Sequence, residues 1–120
     1  MGLDQYISVT RETTEQEEDF AYFRKMNALQ GYFEQRFNIQ NLEKVYLTME
    51  IIDDILQKTK QVLHTHALAE AIFPVQQGFF YGSYSYDEYY FDSVQEVHDT
   101  FQELKRQWKQ FSSAYYMCWY

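Results

Sequence analysis

Residues 85–111 read SYDEYYFDSVQEVHDTFQELKRQWKQF. Tyr90, Val94, Val97, Phe101, Leu104, Trp108 and Phe111 recur here at steps of four and three. That spacing puts side chains on one side of an α-helix. Ser85 followed by Glu88 has the form of a capping box, in which two side chains satisfy backbone N–H groups at the helix start. A helix is therefore expected from Ser85 onward. Its opposite side is just as regular. Asp92, Glu96, Asp99 and Glu103 fall on one stripe at about 100° per residue, so the helix has an apolar back and an acidic front.

Strands flank this helix in sequence. Leu3, Gln5, Ile7 and Val9 alternate with Asp4, Tyr6, Ser8 and Thr10, the pattern of a strand with one buried side. Residues 113–120 are β-prone and aromatic and predict a closing strand. Between the two ends, Thr14 and Glu17 form a second candidate capping box. From there a helix is expected to about Phe37, with Phe23, Met26, Gln30, Phe33 and Phe37 on one face. Glu15, Glu17, Glu18 and Asp19 would occupy its first turns, where the helix dipole favours negative charge. Asn38 to Asn41 reads as a break. Asn41 is then expected to cap a helix from Leu42 to about Leu63, with Val45, Met49, Ile52, Leu56 and Leu63 as its stripe, widened by Ile55 and Val62. His66 to Phe73 extends it or forms a short helix that Pro74 ends. Phe79 to Tyr81, framed by Gly78 and Gly82, reads as a short strand leading into a turn. The expected fold class is α+β: one domain over residues 1–120, with three main helices packed on a small sheet of two or three strands.

The 120 residues suffice for one hydrophobic core. One Pro and four Gly argue against a disordered or collagenous chain. The lone Cys118 cannot close an internal disulfide. No run approaches the roughly 18 apolar residues of a membrane span, and the start lacks the basic and apolar regions of a signal peptide. The expectation is a cytosolic protein without membrane contact.

Charge is unevenly spread. Asp and Glu number 18 against 10 Lys and Arg, a formal net charge of −8. Between Lys60 and Lys105 there is no basic residue, yet that stretch holds Glu70, Asp87, Glu88, Asp92, Glu96, Asp99 and Glu103. Direct nucleic-acid binding is excluded as an expectation, because such affinity comes from Lys and Arg displacing counterions. A solvated helix face is the plainest account of the stripe. Against it stands the spacing of like charges four apart, where ordinary exposed helices place opposite ones. The functional reading is a site for a basic protein or nucleoprotein complex, with Glu88, Asp92, Glu96, Asp99 and Glu103 as contacts.

Residues 79–91 read FFYGSYSYDEYYF, more aromatic surface than one side of a short segment can bury. Core packing accounts for part of it, and surplus Tyr suits a protein interface. Catalytic signals are weak. His64 and His66 are two apart, His98 and Cys118 lie far off, and no zinc spacing is present. Asp53-Asp54 reads as the polar side of a helix. No catalytic residue, metal or cofactor is expected.

Three stretches together resemble a known group. They are Met1 to Tyr6 (MGLDQY), Tyr22 to Leu29 (YFRKMNAL), and Phe73 to Ser83 (FPVQQGFFYGS) followed by Tyr86 to Phe91 (YDEYYF). The chain is similar to a family of small phage and prophage proteins with an MGLD start, a YWRKAN-like helix and a GFFFGS…YDEWY-like segment. Phe23 stands where that family tends to have Trp. The resemblance implies a phage or mobile-element origin, action inside a bacterial host cell and no established enzymatic activity. Its polar signature matches Arg24, Lys25, Asn27, Gly78, Ser83, Tyr86 and Asp87, with Glu88. These form either a structural cluster, Asp87 or Glu88 meeting Arg24 or Lys25, or the wall of a pocket. Three functions follow as expectations. The first is a non-enzymatic inhibitor of a bacterial defence system, anti-CRISPR-like, with nucleic-acid mimicry as one way of acting. The second is a small enzyme or ligand-binding module using Arg24–Asn27 and Gly78–Glu88. The third is a homo-oligomeric accessory protein.

Overall fold

The computed structural model describes residues 2–78, 82 and 84–120. The expected strand over Phe79–Tyr81, and Ser83 with it, lie outside the described residues. Among the described residues there are four strands: β1 (Asp4–Arg11), β2 (Glu17–Arg24), β3 (Lys44–Tyr46) and β4 (Phe111–Trp119). Between them run helices α1 (Asn27–Phe37), α2 (Met49–His64), α3 (Ala69–Ile72) and α4 (Glu88–Gln107). The class is α+β, with one more helix and at least one more strand than expected. The sheet is antiparallel throughout, in the order β2-β1-β4-β3.

β1 forms as its alternation predicts. Gln5, Ile7 and Val9 point inward opposite Cys118, Tyr116 and Ala114 of β4, and all six are buried. Phe33 of α1 stacks on Tyr116 with ring centroids 3.9 Å apart, which fixes the helical layer on that side. α2 and α4 complete the core with Ile52, Ile55, Val97 and Phe101.

The helix expected from Thr14 to Phe37 is divided. Residues 17–24 are β2, hairpin partner of β1, and α1 begins only at Asn27. Thr14 therefore caps no helix. Its hydroxyl accepts from Gln16 N at 3.3 Å inside the turn, where Glu15 has φ 55°. A bulge explains the misleading spacing. Ile7 pairs with Ala21 and Ser8 with Asp19, so Phe20 is the extra residue. Phe20 and Phe23 both reach the core three residues apart, a spacing that a helix also produces. The open edge of β1 then outweighs local helix signals.

The helix expected from Leu42 is also shorter. Lys44–Tyr46 pairs with the far edge of β4, so Val45 belongs to a strand. α2 starts after Thr48, whose hydroxyl accepts from Ile51 N at 3.2 Å. Asn41 instead holds the chain end, accepting from Tyr120 N at 2.8 Å. The break at Asn38 is as expected, a left-handed residue ending α1. In α4 the cap is Asp87, which accepts from Tyr90 N at 3.1 Å, not Ser85. Tyr90, Val94, Val97, Phe101 and Leu104 are buried as their spacing requires. Phe111 is the first residue of β4. No described helix is long and apolar enough to cross a membrane.

Candidate functional site

The solvent side of α4 is built by default. Burying the apolar stripe leaves Glu88, Asp92, Glu96 and Asp99 exposed on the other side. Tyr89, in the first turn, stands 81% exposed beside them. Elsewhere carboxylates meet cations: Glu18 with Arg11, Asp54 with Arg36 and Lys58, Asp53 with Lys105. Among the described residues no Lys or Arg pairs with Asp92, Glu96 or Asp99. Asp99 accepts from Gln95 Nε2, at 2.9 Å. Tyr89, Asp92, Ser93, Glu96 and Asp99 line one open ledge.

Glu103 departs from the expected stripe. Arg106 donates to both of its oxygens, and Gln107 Nε2 donates at 2.6 Å. Its negative charge is already met. Those two donors, Arg106 first, hold its carboxyl at about 2 against an ordinary 4.5. A folded value below the unfolded one means the pairing favours the fold above the unfolded pKa. That contribution fades as pH falls from 4.5 toward 2. Carbon-13 carboxyl titration is expected to place Glu103 near 2 and Arg106→Ala to bring it back into the ordinary carboxylate range; an unmoved titration would show the pairing absent.

The signature residues divide between structure and cavity. Tyr86 OH accepts from Val75 N at 3.1 Å, and Tyr90 OH donates to the Phe73 carbonyl at 2.6 Å. Gly78 N donates to Tyr84 OH at 3.2 Å, and that hydroxyl donates back to the Gly78 carbonyl at 2.9 Å. Asn27 Oδ1 accepts from Gln76 N. These bonds meet several backbone groups of 73–78, which has no regular structure of its own. Arg24 pairs with Asp4 at 3.6 Å and Asp87 caps α4, so the expected meeting of Asp87 or Glu88 with Arg24 or Lys25 does not form as an ion pair among the described residues. Lys25 passes Gly82, whose φ of 83° suits glycine. Lys25, Asn27, Ser85, Asp87, Tyr89 and Ser93 then line the polar side of a cavity of about 180 Å³. Leu29, Phe73, Tyr90, Val94 and Val97 form its apolar floor.

Other candidate groups are structural. His66 stacks on Phe91 at 3.7 Å, and His98 Nδ1 lies 2.8 Å from the Thr59 hydroxyl. Among the described residues no three His, Cys, Asp or Glu groups are placed to share a metal ion. Cys118 is buried between Gln30 Nε2 at 3.3 Å and the Gln40 carbonyl at 3.7 Å. Burial pushes its thiol pKa up, the reverse of what a nucleophile needs.

Sequence reasoning missed the outer side of the sheet. Tyr22, Tyr46 and Trp119 are exposed there at 51%, 60% and 55%. The helix reading of 17–24 and 44–46 masks Tyr22 and Tyr46, while Trp119 lies in the closing strand that the sequence predicts. No family model, curated protein or solved structure matches this chain.

Proposed function

We propose that the chain is a non-enzymatic binding protein that docks a basic protein or nucleoprotein surface on the front of α4. The observation that carries this reading is the row of Asp92, Glu96 and Asp99, exposed and without basic partners among the described residues. A row of carboxylates on a rigid helix presents charge at regular intervals, as a nucleic-acid backbone does, and steers basic partners toward it. The resemblance to small phage proteins supports an inhibitor of a bacterial defence complex, anti-CRISPR-like, acting inside the host cell. Glu88 and Tyr89 extend the contact, and Glu103 lies at its margin because Arg106 holds its charge. The test is capture of a partner from bacterial lysate by the wild-type chain and by the Asp92→Lys, Glu96→Lys, Asp99→Lys variant. A partner that also binds nucleic acid, held by the first and lost by the second, is expected.

A second reading has an observation of its own, the cavity beside Lys25 and Asp87. Its volume suits a ligand about the size of one large apolar side chain, with Lys25 and Asp87 to meet polar ends. Ser93→Trp is expected to fill it. If the cavity serves a ligand, a fragment screen by NMR moves Leu29, Val94 and Val97 signals in the wild type but not in this variant. No moving signal in the wild type counts against the cavity.

A further inference from the structure

The described helices pack on the side of the sheet that carries Ile7 and Tyr116. The strand register lays the outer side out in four rows. Arg24, Asp4 and Trp119 form the first, and Tyr22, Tyr6, Met117 and Lys44 the second. Asp19, Ser8, Tyr115 and Tyr46 form the third, and Glu17, Thr10 and Ser113 the last. The rings are already arranged against one another. Tyr6 and Tyr22 lie 5.3 Å apart, Tyr46 and Tyr115 5.7 Å, and Lys44 Nζ sits 4.4 Å above the Tyr115 ring. Tyr22 OH donates to Asp4, and Tyr115 OH donates to Glu17 at 3.2 Å. These contacts hold rotamers in place, so the face is preorganised and loses little side-chain freedom on being covered.

We infer that this outer face of the sheet closes on a second copy of the chain in a two-fold dimer. Charge decides the occupant. The β2 edge carries Asp19 and Glu17, and the β3 edge carries Lys44. A two-fold axis parallel to the strands lays β2 of one copy over β3 of the other. Asp19 then approaches Lys44, one row away, once on each side, the self-complementarity an isologous contact requires. The same pairing turns both α4 fronts outward, away from each other, so the most acidic surfaces of two chains of net charge −8 are kept apart. Nucleic acid does not fit the face: among the described residues its cations are Arg24, which pairs with Asp4, and Lys44, set against Asp4, Glu17 and Asp19. Size is adequate. At about 4.8 Å between strands and about 3.3 Å per residue, the four strands present roughly 450 Å² of plane per copy. Two copies therefore cover about 900 Å², the size of a weak, reversible association.

Sedimentation equilibrium of the intact chain, over a range of concentrations, tests this. A monomer–dimer equilibrium is expected. Tyr22→Lys and Tyr46→Lys each weaken the dimer about tenfold or more, with circular dichroism unchanged because both side chains are exposed. Asp19→Lys weakens it as well, and adding Lys44→Asp restores part of the loss. The α4 variant carrying Lys at 92, 96 and 99 dimerises as the wild type does. A wild-type chain that stays monomeric, a dimer indifferent to Tyr22 and Tyr46, or one lost through the α4 changes would each overturn the inference. Because partner capture on α4 is a separate measurement, failure here leaves the α4 reading standing, and the converse holds too.

Discussion

Replacing Asp92, Glu96 and Asp99 together by Lys is expected to abolish partner binding while leaving the fold intact. Each replacement exchanges a negative for a positive charge, so the α4 front becomes six units more positive. Facing a basic surface, the contact changes from attraction to like-charge opposition, which costs several kcal/mol. Affinity is expected to fall by at least about a hundredfold. The association rate should fall first, since exposed charges act mainly by steering. The salt dependence of the residual binding should also reverse, because salt screens repulsion as it screens attraction. Folding has no reason to suffer. Lys is a better helix former than Asp, and the new ammonium groups at positions 92 and 99 would stand four residues from Glu88 and Glu103. Glu103→Gln supplies the internal comparison. Arg106 already neutralises that carboxylate, so its loss should weaken the complex far less than Glu96→Gln. Equal effects from the two, or a triple variant that binds as well as the wild type, would remove α4 from the interface.

The apolar stripe and acidic front of α4 were legible because both depend on one local period over five turns. So was the alternation of β1, including Gln5 among the inward residues. Gln30 was likewise legible on the buried face of α1. The losses share one cause. β2 and β3 are strands because β1 and β4 offer open edges to them, a fact that lies elsewhere in the chain. Residues 17–24 contain four acidic or basic side chains and a bulge at Phe20, which blurs the two-residue period. Residues 44–46 are too few to show one. Misreading these two segments hid the outer face, since Tyr22 and Tyr46 join Tyr6 and Tyr115 only through the sheet register. On the α4 front, the exposed row was readable but the neutralised member was not. Arg106 lies three residues from Glu103, and only side-chain geometry tells a clamp from a neighbour.

Tyr116→Phe is expected to be costly for so conservative a change. Tyr116 is fully buried, and its ring stacks on Phe33 at 3.9 Å. The substitution keeps that ring and removes one oxygen. That oxygen joins two buried amides: it donates to Gln30 Oε1 at 2.6 Å and accepts from Gln5 Nε2 at 2.8 Å. Gln5 in turn donates to the Met26 carbonyl at 3.0 Å and accepts from Met26 N at 2.7 Å. The network thus ties β1 and β4 to the entry of α1. Neither amide is exposed, so water does not replace the lost hydroxyl. A stranded buried group costs about 1–3 kcal/mol, and two are stranded, so the loss is about 2–6 kcal/mol. Set against the roughly 5–15 kcal/mol of a typical domain, this lowers the urea midpoint markedly with an unchanged slope. If desolvation dominates, Gln30→Leu should cost less in the Tyr116→Phe background than in the wild type, because one stranded oxygen leaves with it. Additive costs would instead mean that the two residues do not share a network. A Tyr116→Phe variant as stable as the wild type would mean that the amides reach other partners and that the link between the sheet and α1 rests on the Phe33 stack and the Gln5–Met26 and Gln30–Cys118 bonds without the hydroxyl.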